Sequence, residues 1–318
     1  MKYCFGIDIG GTTVKIGLFS EAGEMLDRWE IPTRKGNDPA ELLKDVKISL
    51  ENCMQKKGMA KEDILGIGMA APGPVTADGV LQNAVNIGWG SVKRVEEAEK
   101  SIGISPVRIG NDARVAALGE AAFGAGKEAE SMLMVTLGTG VGGGAFLNGE
   151  IYAGSNYAGL EVGHIVIEKD GRLCNCGRKG CFERYAAASA LTRDTQAAMK
   201  EHPESALWKI CPDIEKVNAK TAFDGQKQGD KVATDVVNTY IEYLACGLVN
   251  LINIFQPEVV CLGGGVSNER QYLLDLLQPH IDREDFARNA RERTKIVIAK
   301  FRNDAGIIGA AMVGVNND

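Results

Sequence analysis

Tyr3-Cys-Phe-Gly-Ile-Asp8-Ile9, then Gly10-Gly11-Thr12-Thr13, then Val14-Lys-Ile16-Gly-Leu18-Phe19 is the run whose reading decides the fold. The first seven residues are mostly apolar and read as a buried strand. Beyond the glycines, Val14, Ile16 and Leu18 alternate with Lys15, Gly17 and Phe19, the period-2 pattern of a second strand. The Gly-Gly-Thr-Thr segment between them is therefore a hairpin turn. A Walker loop or a dinucleotide fingerprint would open a helix at this point, and neither spacing is present. A turn of this composition directs backbone N–H groups and two hydroxyls to one point, which suits a phosphate chain. Taken alone the signal is weak, since glycine turns are usually only turns.

The fragment recurs. Met132 to Leu137 is again an apolar strand, followed by Gly138-Thr139-Gly140-Val-Gly142-Gly143-Gly144 and by Ala145-Phe146-Leu147. Two strand–turn–strand units, one in each half, point to a duplicated architecture with the turns facing across a cleft. Met25 to Ile31 supplies a third strand for the first half. A helix is expected from Pro39 to Lys57, with Leu42, Leu43, Val46, Leu50, Cys53 and Met54 on one face. Ile64 to Ala70 is a further strand, and Pro72-Gly73-Pro74 breaks it into a long loop through Asn83, Asn86 and Trp89.

After a short helix, Val107 to Ile109 leads into Gly110-Asn111-Asp112, and Ala113 to Phe123 is alanine-rich helix. Asp112 thus stands where a strand gives way to a helix, the place where ligands gather in α/β folds. Its plain alternative is a helix N-cap. In the second half, Asp230 to Phe255 is a long apolar-striped helix and Glu258 to Leu262 a strand. Gly263-Gly264-Gly265 then precedes a helix expected near Ser267. Three glycines there permit close approach of a flat ligand, with adenine the natural candidate and a helix-entry turn the bland reading. Lys295 to Ala299 is the last strand, and Asp304 to Val313 the last helix, expected to pack back on the first domain.

The totals narrow the classes. A chain of 318 residues has room for two domains of ordinary size. With 45% hydrophobic and 25% charged residues it has the composition of a soluble globular protein. The net charge of −6 and the lack of a basic block argue against a nucleic-acid surface. No apolar run approaches the roughly 20 residues that span a bilayer. The first strand begins at Tyr3 with no signal peptide before it, and half of the eight cysteines are isolated in apolar runs. Reduced thiols in a cytoplasmic protein, some of them on zinc, explain this better than disulfides.

The zinc reading rests on one stretch. From Glu161-Val-Gly-His164 through Cys174-Asn-Cys176-Gly177 to Gly180-Cys181-Phe-Glu183, one His and three Cys fall at the spacing H-x9-C-x-C-x4-C. Soft thiolates and an imidazole can close a tetrahedral Cys3His site, and Gly177 and Gly180 let the chain fold tightly around it. Buried or paired cysteines are the ordinary alternative, and the density of ligands argues against it. A structural zinc here would pin a loop with little core of its own, holding Glu161, His164 and Glu183 where a polar ligand could meet them.

Together, Asp8-Ile-Gly-Gly-Thr12, Gly110-Asn-Asp112-Ala, Leu137-Gly-Thr-Gly-Val-Gly-Gly-Gly144, Glu161-Val-Gly-His164 and Cys174-x-Cys176-Gly-x-x-Gly-Cys181-x-Glu183 resemble the ROK family of bacterial sugar kinases and sugar-responsive repressors. The resemblance runs from Tyr3 to the last helix and is most specific in the zinc stretch. It implies an actin-like, hexokinase-like (ribonuclease H-like) duplicated α/β fold of two domains, with the first formed by residues 1–112 and about 301–318 and the second by 113–300. It implies ATP with Mg²⁺ in one part of an interdomain cleft, a hexose in the other, and a homodimer. Phosphorylation at the 6-hydroxyl follows, with glucose first and N-acetylmannosamine, fructose and allose behind it. A non-catalytic sugar sensor is the rival from another class.

Carried over by position, Asp112 resembles the catalytic base and Asn111 a ligand of a sugar hydroxyl. Glu161, His164 and Glu183 resemble further sugar contacts, with Asn86 a candidate beside them, and His164 also joins Cys174, Cys176 and Cys181 on zinc. Gly10, Gly11, Thr12 and Thr13, with Gly138, Thr139 and Gly140, resemble two phosphate loops. Asp8 resembles a carboxylate near Mg²⁺, and Gly264 and Gly265 part of an adenosine site. Leu160 departs from the pattern, since many family glucokinases carry glycine before that glutamate, and the tilt of Glu161 turns on it.

Overall fold

A computed structural model describes residues 1–34, 39–73, 75–76, 79–81, 95–301 and 304–315. The chain forms two compact units, one of Met1–Glu128, Gly144–Gly159 and Lys300–Asp318, the other of Ala129–Gly143 and Leu160–Ala299. In the first, β1 (Tyr3–Ile9), β2 (Thr13–Ser20) and β3 (Met25–Pro32) make an antiparallel meander, with the expected glycine turn joining β1 to β2. Helix α1 (Pro39–Lys57) follows, and β4 (Ile64–Ala71) returns parallel to β1. A short α2 (Val95–Ile102) leads to β5 (Val107–Asn111), parallel to β4, which runs directly into α3 (Asp112–Phe123). Phe5, Ile7 and Ile9 of β1 and the helical stripe Leu42, Val46 and Leu50 of α1 share one core, as their periods of two and near four require.

The topology then repeats. The chain continues through β6 (Ser131–Leu137), β7 (Val141–Leu147) and β8 (Glu150–Tyr152). Helices α4 (Glu183–Ala186), α5 (Ala188–Glu201), α6 (Leu207–Ile210), α7 (Ala219–Lys227) and α8 (Lys231–Phe255) come next. After β9 (Val259–Gly263), α9 (Gln271–Glu284) and β10 (Lys295–Ile298), α10 (Ala305–Val315) closes the described chain. One sheet has the order β3-β2-β1-β4-β5 and the other β8-β7-β6-β9-β10. The central strand, the meander beside it and the two parallel strands added on its far side fall in matching places. Two glycine turns in the sequence were traces of this duplication. Among the described residues no helix is long and apolar enough to cross a membrane.

Two boundaries differ from the sequence expectation. The helix expected near Ser267 is a 3-10 segment, Gly265–Glu269, and α9 begins only at Gln271. Arg270, at φ 54°, breaks the α-helical run between them. The first unit continues past residue 112 to Glu128 because α3 packs on α10: a Cβ on Gly309 would lie 1.7 Å from the Val115 carbonyl oxygen. The buried carboxylate of Glu120 extends this tie, accepting from the backbone N–H groups of Ala125 (2.9 Å), Lys300 (3.0 Å) and Phe301 (2.7 Å).

Helix α10 also lies directly on backbone. A Cβ on Gly68 of β4 would sit 1.6 Å from the Ala310 oxygen, one on Gly6 of β1 1.9 Å from the Ile307 oxygen, and one on Gly66 2.3 Å from the Gly314 oxygen. These strand glycines are required by close approach, not by their own dihedrals. Gly68→Ala is therefore expected to lower the unfolding free energy by about 3 kcal/mol or more, at the upper end of overpacking costs. Gly58→Ala, at φ 64° with nothing within 4 Å, should lose only about 1 kcal/mol. Urea denaturation of both variants checks the contrast; equal losses would mean that α10 does not rest on the strand.

Candidate functional site

In the first unit the C-terminal ends of three parallel strands lie side by side, Asp8 of β1 opposite Ala70 of β4, and Ala71 opposite Asn111 of β5. This is the ligand-gathering edge of an open α/β sheet. Burial pushes the Asp8 carboxyl up to about 6; Lys15 across the hairpin pulls it down and Asp112 pushes it up again. Gly306 in the first turn of α10 leaves room for this carboxylate, because a Cβ there would come 2.7 Å from Asp8 Oδ2.

Asn111 is the N-cap of α3. Its Oδ1 accepts from the Arg114 N–H at 3.2 Å, and its Nδ2 donates to the Gly73 carbonyl at 3.1 Å and to Asp112 Oδ1 at 3.2 Å. The capping duty that competed for Asp112 thus falls to its neighbour. Asp112 itself is exposed, with Oδ1 accepting the Ala113 N–H at 2.7 Å. The first glycine turn is closed by Gly10 N–H donating to the Thr13 carbonyl (3.0 Å). It is tied down by Thr33, whose Oγ1 donates to Gly10 O (2.7 Å) and whose N–H donates to Thr12 O (2.9 Å). The N–H groups of Gly11 and Thr12 have no partner among the described residues.

The second unit holds the other turn. Gly138 N–H donates to Gly140 O (3.0 Å), while Ala188 N–H and Ser189 Oγ donate to the carbonyls of Gly138 (2.8 Å) and Thr139 (2.6 Å). Thr139 and Gly140 keep their N–H groups without a partner among the described residues. Glu183 Oε2 accepts from Val141 N–H at 3.0 Å, so this candidate sugar contact is also a brace for the turn. Gly264, at φ 82° and ψ −177°, lies against the end of β6, where a Cβ would come 2.6 Å from Leu137. Only glycine fits that conformation and that approach. Gly264 thereby lies beside Leu137, the residue that leads into the Gly138–Gly140 turn.

The cysteine-rich stretch closes on itself through short bridges, Val166 with Cys181 and Leu173 with Lys179. Gly180, at φ 78°, lets it do so, since a Cβ there would fall 1.7 Å from the Glu168 oxygen. The ligand atoms of His164, Cys174, Cys176 and Cys181 all lie within 4.8 Å of one another. Cys174 Sγ is 3.7 Å from His164 Nδ1, and Cys176 Sγ is 3.7 Å from Cys181 Sγ. A zinc tetrahedron has S···S edges of about 3.8 Å and S···N edges of about 3.6 Å, given Zn–S near 2.3 Å and Zn–N near 2.05 Å. The residues therefore fit the ion. Burial, then the hydrogen bonds to Cys176 and Cys174, push the Cys181 thiol up to about 12, so this sulfur ionises only beside a cation.

Glu161 enters this stretch through unusual backbone. Leu160 is left-handed at φ 65°, a conformation that costs a branched side chain about 1–2 kcal/mol and explains why glycine suits the position. Glu161, at φ −70° and ψ 59° with Val162 N–H donating to Leu160 O at 2.7 Å, is the centre of an inverse γ-turn. Asn86 lies outside the described residues. Thr33 and Ser189, which hold the two turns, went unseen in the sequence. Thr33 is brought to Gly10 only by the pairing of β3 with β2, which no local motif announces.

The chain matches the ROK family over residues 4–316. It is 39% identical over 313 residues to a glucokinase of Halalkalibacterium halodurans, covering 97% of this chain and 93% of that protein. A glucokinase of Thermotoga maritima is 33% identical over 311 residues, covering 97% and 96%. Among solved structures, a ROK family glucokinase from Streptomyces griseus, in complex with glucose and AMPPNP, aligns with a TM-score of 0.83 at 30% identity, covering 98% of this chain and 99% of that one. Near-complete coverage on both sides carries the duplicated sheets, both glycine turns and the cysteine stretch into a single match, and the chain belongs to the ROK family.

Proposed function

We propose that this protein transfers the γ-phosphoryl group of ATP to the 6-hydroxyl of a hexose, with glucose its first substrate. The observation that carries the reading is Asp112, an exposed carboxylate at a strand end whose helix-capping role Asn111 has taken over. The glucokinase relatives, and the glucose and AMPPNP held by the related structure, support the choice of substrates.

Phosphoryl transfer asks a protein for positioning and for charge neutralisation more than for covalent chemistry. The N–H groups of Gly11, Thr12, Thr139 and Gly140, without a partner among the described residues, are donors suited to phosphate oxygens. Asp112 accepts the hydroxyl proton as the new P–O bond forms, a contribution of about 10²- to 10⁴-fold. Asn111, Glu161, His164 and Glu183 are the proposed partners of the sugar's other hydroxyls, where a missing hydroxyl would leave buried groups unpaired. A Mg²⁺ ion beside Asp8 would supply neutralisation of the phosphate charge. Asp8 fits it, being a half-buried carboxylate whose pKa burial raises and a second carboxylate raises further. His164, Cys174, Cys176 and Cys181 would hold a structural zinc that fixes the loop carrying Glu161.

A cytoplasmic homodimer completes the reading. The eight cysteines are free, as a reducing compartment keeps them. Ile254 and Phe286, exposed at 69% and 87%, are apolar surface that a second copy would cover.

Asp112→Asn should keep sugar affinity and lose at least about a hundredfold in kcat; near-normal turnover in a coupled ADP assay would remove Asp112 from the mechanism. Elemental analysis should find about one zinc per chain, and Cys176→Ser, an exposed position, should lose both metal and sugar affinity. Purified protein without zinc would end that part of the reading. A further outcome follows from Asp8, whose folded-state pKa is raised. The charged carboxylate opposes folding increasingly as pH climbs from its ordinary value of 3.8 to about 6, and by a constant amount above. Asp8→Asn should therefore be more stable than wild type at pH 8 by about 2–3 kcal/mol, with the gain fading below pH about 4, while losing activity. Thermal melts across this range check it, and a pH-independent difference would mean Asp8 titrates normally.

A further inference from the structure

The first unit contains a cavity of about 600 Å³ that the chemistry above leaves unused. It lies along β5, the last strand of its sheet, and is walled by α3, the β7–β8 hairpin and the loop leading to Tyr157. Asn111 borders it, but neither Asp8 nor Asp112 does. The space is large enough for a hexose-sized molecule.

Its charge is the informative feature. Two guanidiniums line it, Arg108 and Arg114, against one carboxylate, Glu150, which is exposed on the hairpin. Arg114 is buried and donates to the Tyr157 carbonyl. Arg108 is half-buried and donates to the Gly314 carbonyl at 2.6 Å, with no carboxylate at ion-pair distance among the described residues. A carbonyl occupies one donor of a five-donor fork and leaves its charge largely unbalanced. In a chain of net charge −6, the half-buried Arg108, with no acid partner among the described residues, favours an anion in this cavity. The remaining walls fix the rest of the ligand. Thr76 and Tyr157 bring polar groups suited to hydroxyls, and Phe146 and Leu118 bring apolar surface suited to the C–H face of a ring. A bare phosphate ion would leave most of this volume and all of this apolar wall without contact.

We infer that the cavity is a second ligand site, taking an organic phosphate of hexose size with its anionic group on Arg108. That such an ester meets the protein in quantity rests on the kinase reading, since hexose phosphate would be the product. The recognition chemistry does not depend on it.

The test is calorimetric titration of the full-length protein with glucose 6-phosphate, alone and saturated with glucose, for wild type, Arg108→Gln and Leu118→Trp. Glutamine keeps an N–H for the Gly314 carbonyl while removing the charge, and tryptophan fills space from α3. The ester should bind glucose-saturated and free wild type within about twofold of each other, and each variant should weaken binding at least about tenfold with glucose turnover little changed. Inorganic phosphate should bind at least about tenfold more weakly than the ester. The assignment is overturned if glucose displaces the ester, if all three proteins bind it alike, or if inorganic phosphate binds as tightly. Ester binding that is lost in both variants of a protein unable to phosphorylate glucose would sink the kinase reading and leave this site standing.

Discussion

The contact on which the first unit depends is backbone against backbone, α10 laid on the glycines of β1 and β4, with Ile307 and Ala311 packing beside it on Cys4 and Phe19. Gly6, Gly66 and Gly68 on the strands and Gly309 against α3 make it possible. Three parts of the candidate site hang from it. Asp8 ends β1 where Gly306 opens the helix, and Asn111 and Asp112 join β5 to α3, which α10 also holds. Packing this close tolerates no slack, since even one methyl group must displace main chain. The acidic pair therefore keeps its mutual position, and burial, with the nearby Asp112 adding to it, lifts Asp8.

The second unit has a different fastening. Between Leu160 and Glu183 there is little regular structure, only a 3-10 turn at Val162–His164 and isolated bridges. Its burial is uneven, with Cys174 and Cys181 inside and Cys176 and Leu173 outside. A segment of this kind cannot hold its shape by hydrophobic burial alone. His164, Cys174, Cys176 and Cys181 converge within it, and Leu160 ahead of them is left-handed, a strain that persists only where the surroundings over-determine it. Glu183 belongs to both systems, following Cys181 by two residues and bracing Val141 of the second glycine turn.

Much of this was legible in the chain. The alternation after Thr13 distinguished a hairpin from a helix, and the limits of α1 followed from one apolar stripe between Pro39 and Lys57. The repeated Gly/Thr turn disclosed the matching sheet orders, because a duplicated topology needs a tight turn at the same place twice. The cysteine cluster was visible because its ligands are close in sequence. What stayed hidden was non-local. Thr33 reaches Gly10 through strand pairing, Ser189 reaches Thr139 past α4, and the glycines under α10 look like ordinary strand glycines until their partner, about 240 to 300 residues away, is known. The α3–α10 contact, which takes the first unit past residue 112, likewise joins distant stretches.

Glu120 gathers the backbone of residues 125, 300 and 301 into one buried carboxylate, just before α10 begins. On the ribosome the N-terminal strands emerge long before that partner exists, with the whole of the second unit synthesised between. A sheet face carrying Cys4 and Phe19 must wait uncovered through that interval, whereas the intervening unit has all its strands and helices in hand. Domains fold as their parts become available, so the order of assembly in this protein runs against the order of translation, and the segment made first is the one finished last.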